Sequence, residues 1–447
     1  MTVTTGQGTA IGYDLLAQAI VAAAARPLPG NVASAACRTL FNVLAVAAGA
    51  SQSAEVRRLS EHLPEVAGGV LAAPGDNRRV AAWDAALLTG FAAHLDDFDD
   101  THLATVIHPG AACLGAAWAQ AGDEFDGAAL ITAFALGCEV QLRLGVAVSP
   151  EHYDRGWHIT GTCGVIGATV TAALLSGVDG AELADALRIA SVQTLGYREA
   201  FGSQLKPLHA GLAAENGCRA ADMARSGELS SVRADLPDLA PLLAALAPGG
   251  ARPVDTDFGG RWELPDNTFK PYPCGIVAHP GIDAAVRAHA DLPPEGWQQI
   301  ESVRYRCHPL VPELMGNPSP QDGLQARFSA IHGAAVGLRY GRAGLDEYTD
   351  IAAIDTDLAG LRARITLVPD PALGRDEAEL SIELAGRSLR SHVEHARGSL
   401  ARPLTDADLQ DKAAGLLHGD PGPLWRFVAE LSGPSQWSDV PIGGKAQ

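Results

Sequence analysis

Between Tyr13 and about Ala247 the chain is a succession of apolar stretches ten to twenty residues long, cut by Gly, Pro, Asp or Ser. A run of that length is too long for one strand and about right for a helix. Helices are therefore expected at 14–25, 33–48, 80–95, 127–146, 160–175, 181–195 and 208–225. No repeat of fixed period is present. Hydrophobic residues make up 47% of the 447 positions but aromatics only 5%, so the apolar content is mostly Ala, Val and Leu. That composition favours helices packed closely through small residues.

A stretch rich in Pro, Gly and Asp at 248–266 breaks the pattern and reads as a domain linker. Beyond it the period shortens to two at 299–308, 362–368, 377–384 and, more weakly, 389–395, which predicts strands. Helices are expected at 280–290 and 324–340. Helical character returns at 406–417 and 424–431. The fold class is thus mainly α, with a smaller α+β second domain spanning about 267–402.

Charge and motif content exclude several functions. Asp and Glu outnumber Lys and Arg by 52 to 33, a net charge of −19. A nucleic-acid partner calls for a basic face, and none is evident. Seven scattered cysteines without a CxxC argue against a disulfide framework, a zinc ribbon or an iron–sulfur cluster. GxGxxG, GxxxxGK[ST] and GxSxG are absent, which disfavours nicotinamide redox chemistry, nucleotide hydrolysis and an α/β-hydrolase. The 22 residues from Trp157 to Val178 carry no Asp, Glu, Lys or Arg, but Gly161, Gly164 and Gly167 interrupt them. They read as a buried helix rather than a membrane span. The first residues lack the basic start of a signal peptide. A reduced, cytoplasmic protein is expected.

Of the 33 cationic residues only four are lysine: Lys206, Lys270, Lys412 and Lys445. A chain that uses Arg for generic positive charge keeps Lys where an amine must lose or deliver a proton, because guanidinium stays protonated. Lys412 falls in a polar helix and Lys445 in the tail. Lys206 and Lys270 each precede proline in Pro-, Cys- or His-bearing loops, and these two are the candidates.

Four segments could carry chemistry. The stretch from His94 to His108 holds four aspartates and three histidines in fifteen residues, between two apolar runs. At helical spacing Asp97, Asp100 and Thr101 would share a face. A solvated helix end, a metal site, a terpene-synthase DDxxD at 96–100 and a metal-free acid–base pocket compete for this stretch. Paired-His metal spacing is absent, as are a second magnesium motif and the aromatic wealth of a carbocation cavity. The second segment, YDRGWHITGTCG at 153–164, would place His158 at a helix entrance whose amides favour anions. The third and fourth are FGSQLKPLHAG at 201–211 and FKPYPCGIVAHP at 269–280. Two prolines stiffen the last loop, which suits a positioned amine. Cys274 as a nucleophile is a minor option, since nothing names its base.

In this order, and with QARFS at 325–329, these segments resemble the MmgE/PrpD family, which includes 2-methylcitrate dehydratase, cis-aconitate decarboxylase and iminodisuccinate epimerase. The resemblance implies a helical domain built from both chain ends (1–266 and 403–447), with an α+β lid inserted at 267–402. It also implies a homodimer with no metal or organic cofactor, and the charge and apolar patterns above add no nucleic acid and no membrane as partners. By motif, Asp97, His108, His158, Lys206 and Lys270 would be catalytic. Thr101, His102 and His332 would bind substrate, His332 standing where the family often has tyrosine. The expected chemistry is removal of water or carbon dioxide from a di- or tricarboxylate by acid–base catalysis alpha to a carboxylate. One Lys or His would take the proton, another would serve as acid, and Asp97 would orient a histidine. Epimerisation of an iminodisuccinate-like acid and non-catalytic polycarboxylate binding are the alternatives.

Overall fold

The computed structural model describes residues 11–227, 229 and 236–442. Lys445 and the outermost ends of the expected helical domain, 1–10 and 443–447, lie outside them. The apolar runs form the helices Tyr13–Ala24, Gly30–Ala50, Ala82–Leu95, Pro109–Gln120, Gly127–Val148, Ile159–Leu175, Gly180–Ser191 and Leu205–Ser226. Small residues do bring these helices together. A Cβ on Gly211 would lie 2.5 Å from the carbonyl oxygen of Leu87, and one on Gly90 would lie 2.9 Å from that of Ala210. Backbones that touch in this way draw the start of Leu205–Ser226 beside the end of Ala82–Leu95. Gly30–Ala50 and Gly127–Val148 are long and apolar enough to cross a bilayer, but 67% and 89% of their most apolar windows are buried inside the fold. Their apolar surface is already spent on helix packing.

Among the described residues there are two separate cores. One gathers apolar residues from Tyr13 to Phe269 and from Leu404 to Val440; the other runs from Tyr272 to Val393. The second core lies under a four-stranded sheet in the order Ile365–Pro369, Ile300–Cys307, Ala378–Leu384, Arg387–Val393. Its first pair is parallel and the other two are antiparallel. Helices His279–Ala290 and Ala330–Tyr340 pack together beside it.

The C-terminal segment returns to the first core. Arg38 pairs with Asp406 at 2.9 Å, Pro434–Gln436 pairs with Glu124–Asp126, and Trp437 stacks on Trp118 with centroids 4.6 Å apart.

Three local expectations are corrected. The stretch 248–266 is not an open linker. Arg143 donates to the carbonyls of Asp255, Asp257 and Arg261 at 3.1, 3.1 and 2.8 Å, and Phe258 and Trp262 are buried in the first core. The helix expected at 324–340 is two, Gly323–Ala326 and Ala330–Tyr340, because the Ser329 hydroxyl caps the second by accepting from the His332 N–H. Asp97, Asp100 and Thr101 do not share a helical face. The helix stops at Leu95, Asp97 turns left-handed at φ 49°, and Asp100–His102 is a strand paired antiparallel with Asn267–Phe269.

Candidate active site

A cleft of about 530 Å³ opens between the two cores. Its lining includes Asp97, Thr101, His108, His158, Lys206 and Lys270, drawn from four separated segments. Three helix starts supply part of this set. His108 precedes Pro109–Gln120, His158 precedes Ile159–Leu175, and Lys206 lies in the first turn of Leu205–Ser226. The dipoles of these helix starts favour an anionic guest. The rest of the lining mixes apolar Ile276, Leu310, Leu314, Met315 and Phe328 with charged Arg198, Glu313, Arg375 and Arg397.

At the floor, Asp97 Oδ1 accepts from Lys206 Nζ at 2.5 Å and from Lys270 Nζ at 2.7 Å. Lys270 Nζ also donates to the Asp97 carbonyl at 3.1 Å. Burial alone would push the Asp97 carboxyl up, but the two ammonium groups hold it well below the usual carboxylate range. Burial pushes Lys206 down, against the pull of Asp97. Two cations thus share one carboxylate, leaving positive charge for a second anion.

Behind them sits Asp99, fully buried. It accepts from His94 Nδ1 at 2.6 Å and lies 3.1 Å from His108 Nδ1. His108 Nδ1 is also 2.7 Å from the carbonyl of Asp100 and 3.2 Å from Thr101 Oγ1. A carbonyl only accepts, so Nδ1 carries the proton and Nε2 of neutral His108 is a free base. Burial pushes His108 down and Asp99 opposes it; burial takes His94 down to about 3. Asp99 therefore orients the imidazoles, the role that sequence reading gave to Asp97. Asp97 instead positions the amines.

His158 packs edge-on to Phe201 at 5.1 Å, and its Nδ1 lies 3.0 Å from Nδ1 of His209. Burial, with Lys206 nearby, holds His158 well below the ordinary histidine value.

Two expected substrate contacts lie elsewhere. His102 does not line the cleft; its ring meets Thr105 Oγ1 at 2.9 Å and Glu263 at 3.5 Å. Strand alternation explains this, since Thr101 faces the cleft while its neighbours Asp100 and His102 face away. His332 is buried in the second core. Its Nε2 donates to the carbonyl of Glu347 at 2.8 Å, and its Nδ1 accepts from Arg362 at 3.0 Å. Cys274 is buried, with its thiol pushed up to about 12 by burial, so it is no nucleophile.

The DDxxD reading is also corrected. Asp96 pairs with Arg327 at 2.5 Å, whereas Asp100 accepts from the Gly110 N–H at 3.1 Å and from Asn267 Nδ2 at 2.7 Å. Its two ends are occupied in different directions. Donor atoms of His94, Asp97, Asp99 and His108 do lie within 4.8 Å of one another. Two ammonium groups on Asp97 make that set unfavourable for a cation.

Sequence reading missed Asp99, His94 and His209 as working parts, although all three stand inside the motifs. It also missed Lys412. That side chain donates to Asn42 Oδ1 at 2.8 Å, to the Phe98 carbonyl at 2.5 Å and to the Lys270 carbonyl at 3.0 Å. Three of the four lysines thus serve one site.

Residues 14–235 match the MmgE/PrpD N-terminal domain and residues 272–420 the MmgE/PrpD C-terminal domain. The chain is 28% identical over 344 residues to cis-aconitate decarboxylase of Homo sapiens, covering 73% of this chain and 71% of that protein. It is 28% identical over 349 residues to cis-aconitate decarboxylase of Mus musculus, covering 73% and 70%. A shorter match, 32% over 108 residues, reaches 2-methylcitrate dehydratase of Cupriavidus necator and covers 24% of this chain and 22% of that protein. With both domain models matched in order along most of its length, the chain belongs to the MmgE/PrpD family.

Proposed function

We propose that the protein is a lyase that removes water or carbon dioxide from a di- or tricarboxylate by acid–base chemistry alpha to a carboxylate, without a metal or organic cofactor. The observation that carries this reading is the sharing of Asp97 by Lys206 and Lys270 on the floor of a cleft that His108 and His158 also line. Taking a proton alpha to a carboxylate adds a negative charge to the substrate, whereas losing carbon dioxide moves the departing carboxylate's charge onto carbon. The carbanion formed either way is very unstable in water, and preorganised cations and donors stabilise it where it forms. The two ammonium groups suit that role, and the neutral imidazoles suit proton transfer near pH 7. The names of the two kinds of relative, a decarboxylase and a dehydratase, support the same substrate class.

The test is incubation of the purified chain with a panel of di- and tricarboxylates in deuterium oxide, read by mass spectrometry. Formation of an alkene or loss of carbon dioxide supports the lyase. Exchange of the alpha proton without net change in composition indicates an epimerase of iminodisuccinate-like acids. Binding with neither indicates a non-catalytic relative. We further propose that the chain works as a homodimer, and a monomer mass by light scattering at working concentration rejects that.

A further inference from the structure

We propose that His209 is the outer member of a two-imidazole proton relay linking the cleft edge of His158 to solvent. This rests on the lyase reading only in requiring that a proton move at His158. Three observations carry it. His158 lines the cleft, while His209 does not. The two Nδ1 atoms are 3.0 Å apart. His158 Nε2 is buried without a hydrogen-bond partner among the described residues, whereas His209 is partly exposed.

An Nδ1-to-Nδ1 hydrogen bond holds one proton between two nitrogens, so the tautomers of the two rings are tied together. When His158 Nδ1 carries the proton, its Nε2 is a free base and His209 carries its own proton on Nε2. When His209 Nδ1 carries it, His158 Nε2 bears a proton and is an acid. Passage between the two states is balanced. A substrate C–H bond breaks, its electron pair stays on the substrate, and the proton joins His158 Nε2. The His158 Nδ1 proton crosses to His209 Nδ1, and the His209 Nε2 proton leaves to water. The reverse sequence delivers a proton to a carbanion or a leaving hydroxyl. Nothing is oxidised or reduced, and neither ring need hold a net charge between steps. That matters beside Lys206, which together with burial disfavours a protonated imidazole at both positions. His94, stacked 5.8 Å from His158, is fixed by Asp99, and its Nε2 is buried without a hydrogen-bond partner among the described residues.

The test uses His209→Ala and His209→Gln in the full chain, assayed with cis-aconitate and 2-methylcitrate. Both variants are expected to lose about tenfold or more in kcat with KM nearly unchanged. Added imidazole should restore His209→Ala saturably, a rescue that a merely structural role would not show. Full kcat in both variants, or a loss that imidazole does not touch, overturns the relay. Nitrogen-15 NMR of the histidine rings reads the relay without substrate. The His158 ring nitrogens should change protonation pattern in His209→Gln, and an unchanged pattern overturns the proposal. If the wild-type chain turns over neither acid, the lyase reading is in question, and the NMR result still decides the relay.

Discussion

Lys412 Nζ lies 3.0 Å from the carbonyl oxygen of Lys270, so an amine on the C-terminal helix Asp406–Leu417 holds in place the loop that carries a second amine. The same nitrogen reaches the carbonyl of Phe98, one residue from both Asp97 and Asp99. The tail is thereby a structural part of the site. Burial pushes Lys412 down to about 7, and its three acceptors match the three protons of its charged form.

Lys412→Met should remove all three bonds and leave Asn42, Phe98 and Lys270 with unmet acceptors. Each buried acceptor left bare costs about 1–3 kcal/mol. A lowered Tm is expected together with a fall in kcat, because the distance between Asp97 and Lys270 is no longer fixed. Unchanged turnover in the folded variant would remove Lys412 from the site.

Lys206→Met and Lys270→Met should each leave a folded chain, since the other lysine still pairs with Asp97. Turnover should fall by about 10²–10³ in each, the scale of losing one preorganised donor. The double variant strands a buried carboxylate, at a cost of about 3–5 kcal/mol, and should melt far lower or fail to fold. Circular dichroism with steady-state kinetics reads both effects, and a fully active single variant rejects the amine floor.

Acid should destabilise the protein well above the range where carboxylates protonate. Burial pushes His94 and His279 down to about 3 and His152 and His332 down to about 4. Unfolded, each would titrate near 6.5, so between about 6.5 and 4 the unfolded chain binds more protons and stability falls as pH falls. The slope is up to about 1.4 kcal/mol per pH unit for each histidine. Urea unfolding at pH 7 and pH 5 measures it; equal stability at both contradicts the buried neutral imidazoles.

His332→Ala should lower Tm through the lost links to Glu347 and Arg362. KM should not change, because His332 is not in the cleft. A raised KM at unchanged Tm would return His332 to the substrate site.

A chelator should leave activity intact. The donor set of His94, Asp97, Asp99 and His108 faces two ammonium groups on Asp97, which disfavour a dication there. Activity lost to EDTA and restored by one metal would overturn this.

The sequence by itself determined the helical runs, the shift to period two after the break, and the candidate amines, because periodicity and residue scarcity are local properties. Lys206 and Lys270 were legible for that reason, whereas His108 and His158 were singled out by their motifs and the family resemblance those carry. Tertiary structure alone decided which neighbour faces the cleft. Asp97 and Asp99 are two residues apart in one motif, yet the left-handed turn at Asp97 gives one to the lysines and the other to the histidines. Strand alternation turns His102 away, and the second core encloses His332. The return of the chain's last helices brings Lys412 to loops more than 140 residues away in sequence. No local pattern encodes such a contact, because it exists only once the cores are packed.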